Sequence, residues 1–294
     1  MIHKYLRAIG FSGCKTREDI QKIIVAAVRT AGKKEYTTID EDVLYSEYHA
    51  AFGERIGLII RGEYDEDKFV YDYYIPYLEG KGITSSEDIS IERHISGMSF
   101  SGIVEDNNIG VSIIFYLQNI ITYLKLMYTD RLPMRGTSLT LSALSDGGII
   151  LMPISKDEES IRKAKFYNTR KSHMLQKARS GDEAAMEHLT IDDMDTYNMV
   201  HRRMKEEDVY SLVDTYFMPY GVECDLYSIL GEITDYQTVT NEYTKEKIYI
   251  LTLNVNELIF DVAVNCSDVL GEVCIGRRFK GVIWLQGRIN YPDM

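Results

Sequence analysis

The sequence predicts an α+β protein. An antiparallel-sheet domain is expected over residues 1–155, a helical connector over 156–225 and a small OB-like or SH3-like β-barrel over 226–294. Three observations predict this. From 42 to 117 apolar and polar residues alternate with period two, and the links between runs are too short for crossover helices, so the strands must pair antiparallel. Helical periodicity appears too rarely to alternate with strands, as a parallel α/β fold would require. From Tyr227 onward the chain reads as successive strands punctuated by Gly231, Gly271, Gly276, Gly281 and Gly287. Glycine at such places permits the bulges and coiling that close a small barrel.

Residues 17–31 form the first element. Ile20, Ile23, Ile24, Ala27, Val28 and Ala31 make one apolar helical stripe, Thr16 is the N-cap, and Glu18 and Asp19 complement the dipole. Gly32 followed by Lys33 and Lys34 ends it. Strand-like runs follow from Val43 to Leu117. In KFVYDYYIPYL, alternation puts Phe69, Tyr71, Tyr73, Ile75 and Tyr77 on one face and Asp72 and Tyr74 on the other. Asp106-Asn107-Asn108 suits a hairpin turn. After a helix near 118–128, LTLSAL and IILMPI flank Ser145-Asp146-Gly147-Gly148, a strong hairpin signal.

The connector has a divided charge layout. Residues 161–179 carry seven basic and no acidic side chains, and 180–195 carry six acidic and no basic ones. Ser180 and Glu183 form a capping-box pattern for a helix running to about 204, and TYFMPYG returns to extended structure. In the barrel, the runs Ile248–Leu253 and Leu258–Val264 flank a turn at Asn254–Glu257. The last strand carries the chain's single tryptophan, Trp284.

Net charge is −12, and each of the three segments is acidic overall. That argues against a general nucleic-acid or anionic-membrane binder. The four cysteines, Cys14, Cys224, Cys266 and Cys274, contain no CxxC and suit free thiols in the cytoplasm. The apolar run at the N-terminus is too short for a signal peptide. Residues 109–128 carry one charge, Lys125, but also Gln118, Asn119 and Thr122 at their centre. A buried strand leading into a buried helix fits better than a membrane span.

The blocks KYLRAIGFS, VDTYFMPYGVECDLYSILGEI and GRRFKGVIWLQG resemble an uncharacterised family of cytoplasmic proteins from anaerobic Gram-positive bacteria. The resemblance spans essentially the whole chain. It implies an intracellular bacterial protein and brings no catalytic or binding residues with it.

The six histidines form no HxH, HxxxH or HExxH and stand at no ligand spacing from a cysteine, so no metal or other cofactor is expected. There is no GxSxG, and Cys224 lies between Glu223 and Asp225, carboxylates that oppose a thiolate. Asp192, Asp193 and Asp195 read as first-turn residues of a helix. Gly147-Gly148 lacks the Lys-Ser/Thr of a phosphate loop. Two binding features remain. The basic loop Arg277, Arg278 and Lys280 can grip a phosphate or, with Phe279 and Trp284, a single strand. Tyr74, turned away from its neighbours, can join an aromatic patch for a protein partner. The reading is a non-enzymatic cytoplasmic binding or scaffold protein, acting through a protein partner or homo-oligomer. The alternatives are a single-stranded nucleic-acid or nucleotide binder using the barrel loop, and an enzyme assembled from dispersed residues.

Overall fold

The computed structural model describes residues 2–40, 43–65, 68–94, 99–106, 109, 111–133, 136–154 and 213–292. The expected helices and charge blocks between 161 and 204 lie outside the described residues.

The described residues are mostly β with few helices. A 3-10 turn, Lys4–Ile9, precedes α1 (Arg17–Thr30), and Thr16 caps α1 in a reciprocal box with Asp19. Then come β1 (Lys33–Asp40), β2 (Val43–Gly53), β3 (Ile56–Asp65) and β4 (Lys68–Leu78), an antiparallel meander in one sheet. Strand β1 was not anticipated, because Lys33 and Lys34 read as a helix stop rather than the start of a polar edge strand. Ile20, Ile23, Ile24 and Ala27 of α1 are buried, and the helix packs on β2 and β3.

Strand β4 does not alternate uniformly. Arg61 pairs with Tyr73 and Gly62 with Tyr71, so Asp72 is an extra residue, a bulge that reverses the faces on either side of it. Phe69 therefore packs on Tyr48 and Tyr64, while Tyr73 meets Tyr45 and Arg61 on the opposite face. The expected single aromatic stripe is split between two faces.

The second sheet contains β5 (Ile89–Arg93), β6 (Phe100–Glu105), β7 (Ser112–Leu117), β8 (Ser138–Leu151), β9 (Tyr216–Pro219), β10 (Leu226–Thr240), β11 (Lys247–Val255), β12 (Leu258–Asn265), β13 (Val269–Leu270) and β14 (Arg278–Asn290). Strands β8, β12, β11, β10 and β14 pair in that order, and β14 pairs back to β8, which closes a five-strand barrel. The β11–β12 turn is tight, with Asn256 at φ 52° and Glu257 at φ 70°, the two positive values of a primed turn. Strand β7 runs into α2 (Ile120–Tyr128), both largely buried, as the polar residues at the centre of 109–128 imply. No helix among the described residues is long and apolar enough to cross a membrane.

Two expectations need correction. The hairpin at Ser145–Gly148 does not form: β8 continues through it with a bulge at Asp146–Gly147 and pairs with β14 from Ser138 to Leu151. Gly148 is there for packing, since a Cβ would lie 2.3 Å from Cε2 of Phe279. The barrel also reaches outside 226–294, because β8 supplies one of its strands and parallel-pairs with β12.

The N-terminal turn is pinned onto this barrel. Asn241 donates to the Ile9 carbonyl at 2.7 Å, Thr244 to that of Gly10 at 2.6 Å, and Arg7 pairs with Asp268 at 2.5 Å. Gly10 sits at φ 92°, and a Cβ there would lie 2.7 Å from Cβ of Asn241. This anchoring holds His3 and Tyr5 against β14.

Candidate functional site

Two clefts adjoin the first sheet. The larger, about 840 Å³, is bounded by the N-terminal turn, α1, β4, the start of β10 and Trp284 of β14. Its floor is aromatic. Trp284 is 7% exposed, with the Tyr5 ring stacked on it at 5.7 Å and 21°. His3 lies 4.8 Å and Tyr116 5.3 Å from the indole, centroid to centroid. The half-buried Tyr74 accepts the His3 backbone N–H at 2.9 Å, and Tyr71 donates to Gln21 of α1 at 3.0 Å.

The charge around this floor is mostly negative. Asp225 accepts the Trp284 indole N–H at 2.8 Å and has no ion-pair partner among the described residues. Burial raises its pKa against the lowering effect of that hydrogen bond. Asp72 and Glu223 add carboxylates, and partial burial also raises Asp72. Of the two cations, Lys4 is held by Asp146 at 2.6 Å and Arg17 is exposed. Burial pushes His3 down to about 4, so its ring is neutral at pH 7, with Nδ1 accepting the Tyr5 N–H at 3.4 Å. The Tyr5 hydroxyl is buried and has no hydrogen-bond partner among the described residues. Its pKa is raised by burial and by the charges of Asp146, Glu223 and Asp225, which keeps it a neutral phenol.

The smaller cleft, about 350 Å³, is polar, with Lys33, Glu35, His49, Tyr77, Gln118 and Asn119 in its walls. Strand register builds it. Lys33 stands opposite His49, Glu35 opposite Glu47, and Glu47 opposite Arg61, so period-two alternation gathers all five on one face. Glu47 and Arg61 are both fully buried and form an ion pair. Arg61 also donates to the Tyr116 hydroxyl and to the Gln118 carbonyl, the latter at 2.7 Å. The His49 Nε2 lies 2.5 Å from Oε1 of Glu47 and 3.7 Å from Oε2 of Glu35, and Lys33 reaches Glu35 at 2.8 Å. Burial alone would raise Glu47, but Arg61 and His49 outweigh it and hold the carboxylate below its ordinary range. Burial likewise opposes the charge on Arg61, and Glu47 more than restores it.

Of the residues singled out from the sequence, Tyr74 and Trp284 line the larger cleft. Arg278 is 5% exposed and donates to the carbonyls of Met152 at 3.1 Å, Val213 at 2.8 Å and Asp214 at 3.4 Å. Its guanidinium thus ties together the two chain ends on either side of residues 155–212. Arg277 donates to the Glu272 carbonyl at 2.8 Å and pairs with its carboxylate at 3.1 Å. Lys280 is half-buried on β14, facing Leu230 and Ile149 across its two ladders. His3, Tyr5 and Asp225 were missed, because nothing local joins an N-terminal turn to a residue more than two hundred positions away. Glu47-x-His49 carried a readable signal, two metal-capable side chains two apart on a strand.

The architecture of the described residues defines a class: mostly β, with an antiparallel sheet adjoining a closed five-strand barrel. Within that class, the chain belongs to the family described as a domain of unknown function from an E. rectale gene description (DUF3881), whose profile matches residues 6–287. No curated protein and no solved structure matches the chain.

Proposed function

We propose that the protein is a non-enzymatic binding protein whose large cleft holds a positively charged organic group, an ammonium on an apolar body. The observation that carries this is Asp225. It is a half-buried carboxylate fixed by Trp284 at 2.8 Å, beside an aromatic floor and without an ion-pair partner among the described residues. A cation over aromatic faces is attracted by their quadrupoles, and the attraction grows as water is excluded. The neutral His3 adds no repulsion.

The same reading makes the barrel OB-like. The β10–β11–β12 meander, one parallel pair between β12 and β8, and closure through β14 support it, with one strand drawn from upstream. Four free cysteines suit a reducing cytoplasm. Nucleic acid is the less favoured partner, since Arg277 and Arg278 are both engaged within the protein.

Trp284 is the chain's only tryptophan and reports on its own cleft. Titration with benzyltrimethylammonium is expected to change its fluorescence saturably. The uncharged isostere neopentylbenzene should bind much more weakly. Asp225→Asn keeps the acceptor for the indole but removes the charge, and should weaken binding about tenfold or more. No saturable change up to ~10 mM, or equal binding of the neutral isostere, overturns the proposal.

A further inference from the structure

We infer that Glu35, Glu47 and His49 form a binding site for a divalent transition-metal ion, at the wall of the smaller cleft and independent of the aromatic one. Their ligand atoms, one imidazole nitrogen and two carboxylate oxygens, all lie within 4.8 Å of one another. A tetrahedral ion with bonds of about 2.0–2.2 Å separates its ligands by roughly 3.3 Å. The observed separations of 2.5 Å for His49–Glu47 and 3.7 Å for His49–Glu35 bracket that value. Small side-chain rotations therefore admit an ion without moving the strands.

The support around the ligands is that of a built site. The three side chains project from paired strands, β1 and β2, whose register places Glu35 directly opposite Glu47. Arg61 engages Oε2 of Glu47 and leaves Oε1 turned toward His49, so the carboxylate is oriented by a buried partner. Hydrogen-bonded outer partners of this kind fix first ligands and are costly to lose. Arg61 also offsets one of the two carboxylate charges, which leaves a set of low net charge. A nitrogen and two carboxylate oxygens suit Zn²⁺ or Mn²⁺ better than Mg²⁺ or Ca²⁺, which take oxygen alone. Three protein ligands leave a fourth position for water or a ligand, on the side where His49 and Glu35 line the cleft.

Lys33 gives the site a specific signature. Its ammonium pairs with the same Glu35 oxygen, Oε2, that faces His49. An incoming ion must displace it, so Lys33 competes with the metal.

The test is calorimetric titration of the chelator-stripped full chain with ZnCl₂ and MnCl₂. One ion per chain is expected, weakened at least about tenfold in His49→Ala and in Glu35→Gln. Both variants spare the Glu47–Arg61 pair, so circular dichroism should show them folded. Lys33→Met is expected to bind more tightly than wild type, an effect that a purely structural cluster would not produce. No uptake of either ion, or uptake unchanged by His49→Ala, overturns the site. A Lys33→Met chain that binds no more tightly removes Glu35 from the ligand set, and the three-ligand site with it.

Discussion

The two clefts use the same sheet in opposite ways. In the aromatic cleft, Asp225 sits at the edge of the Trp284 indole, hydrogen-bonded to its N–H, and has no ion-pair partner among the described residues, while the buried histidine is neutral. In the polar cleft the charges already satisfy one another, Glu47 with Arg61 and Glu35 with Lys33, and His49 is hydrogen-bonded to Glu47. On the proposed reading one cleft takes a cation beside Lys4, whose ammonium lies 5.3 Å from the Tyr5 ring centroid. The other accepts one only by exchanging an internal partner. Burial therefore does not by itself mark a binding site; the balance of buried charge decides what a cleft can take.

The largest expected effect lies in the polar cleft. Arg61→Met leaves the fully buried Glu47 carboxylate without its guanidinium and should cost about 3–5 kcal/mol. The companion Arg61→Met/Glu47→Met should recover part of that, because an apolar pair needs no compensation. Urea denaturation midpoints at constant m-value measure both. The pH dependence has a defined sign. Glu47 is held below its ordinary 4.5, so its contribution is complete above that pH and is lost as pH falls through the lower folded value. A loss below ~1 kcal/mol in Arg61→Met would mean that water reaches the pair, and the contrast between the clefts would collapse.

The aromatic cleft should show the next effect, through His3. The folded ring titrates at about 4 against an ordinary 6.5, because burial opposes its charge. Between those values the unfolded chain binds a proton that the folded chain does not. Stability therefore falls as pH drops from 6.5 toward 4, by about 3 kcal/mol in full. Asp225, raised by burial, contributes with the opposite sign near the acid end of that window. The difference between wild type and His3→Asn, followed by thermal melts at several pH values, isolates the histidine. Parallel pH profiles for the two chains would show that the fold does not depress His3, and the ring would then take up a proton below about 6.5 and repel a cation there.

Legibility in the sequence followed locality. The α1 stripe and its Thr16 cap were plain, since helix signals lie within a few residues. Strands β2 to β4 and β10 to β12 were readable from alternation and turns. The bulge at Asp72 was not, because alternation continues unbroken through it and only the pairing with Arg61 and Gly62 reveals the extra residue. Asp146-Gly147-Gly148 misled for a related reason: glycine serves turns and close packing alike, and here the Phe279 ring decides. The basic loop looked like a ligand grip because sequence cannot show that Arg278 reaches the carbonyls of residues 152, 213 and 214. Both clefts join segments far apart in the chain, so neither could be assembled from spacing.

A smaller effect tests whether the aromatic cleft holds a stored imbalance. The Tyr5 hydroxyl is buried without a partner among the described residues, and such a group costs about 1–3 kcal/mol. Tyr5→Phe should therefore stabilise the ligand-free protein by about 1 kcal/mol while keeping the stack on Trp284. The same change should leave cation binding unaffected, since the buried oxygen offers no surface for a ligand to reach. Destabilisation by Tyr5→Phe would place a fixed partner on the hydroxyl and make the residue structural. Thermal melts with and without ligand separate these outcomes.

The smallest effect is expected at Lys33. Its ammonium meets Glu35 at 2.8 Å, but the side chain is 56% exposed, so solvent screens the pair and rotamer entropy offsets much of the attraction. Lys33→Met should change stability by no more than about 1 kcal/mol. That near-neutrality is what allows Lys33 to act as an exchangeable occupant, in contrast to Arg61, whose removal strands a buried charge. A chemical-denaturation comparison of the two substitutions in one series places them on a single scale. If Lys33→Met approached the cost of Arg61→Met, the lysine would belong to the permanent framework of the polar cleft, and the exchange of partners that distinguishes it from the aromatic cleft would have no occupant to release.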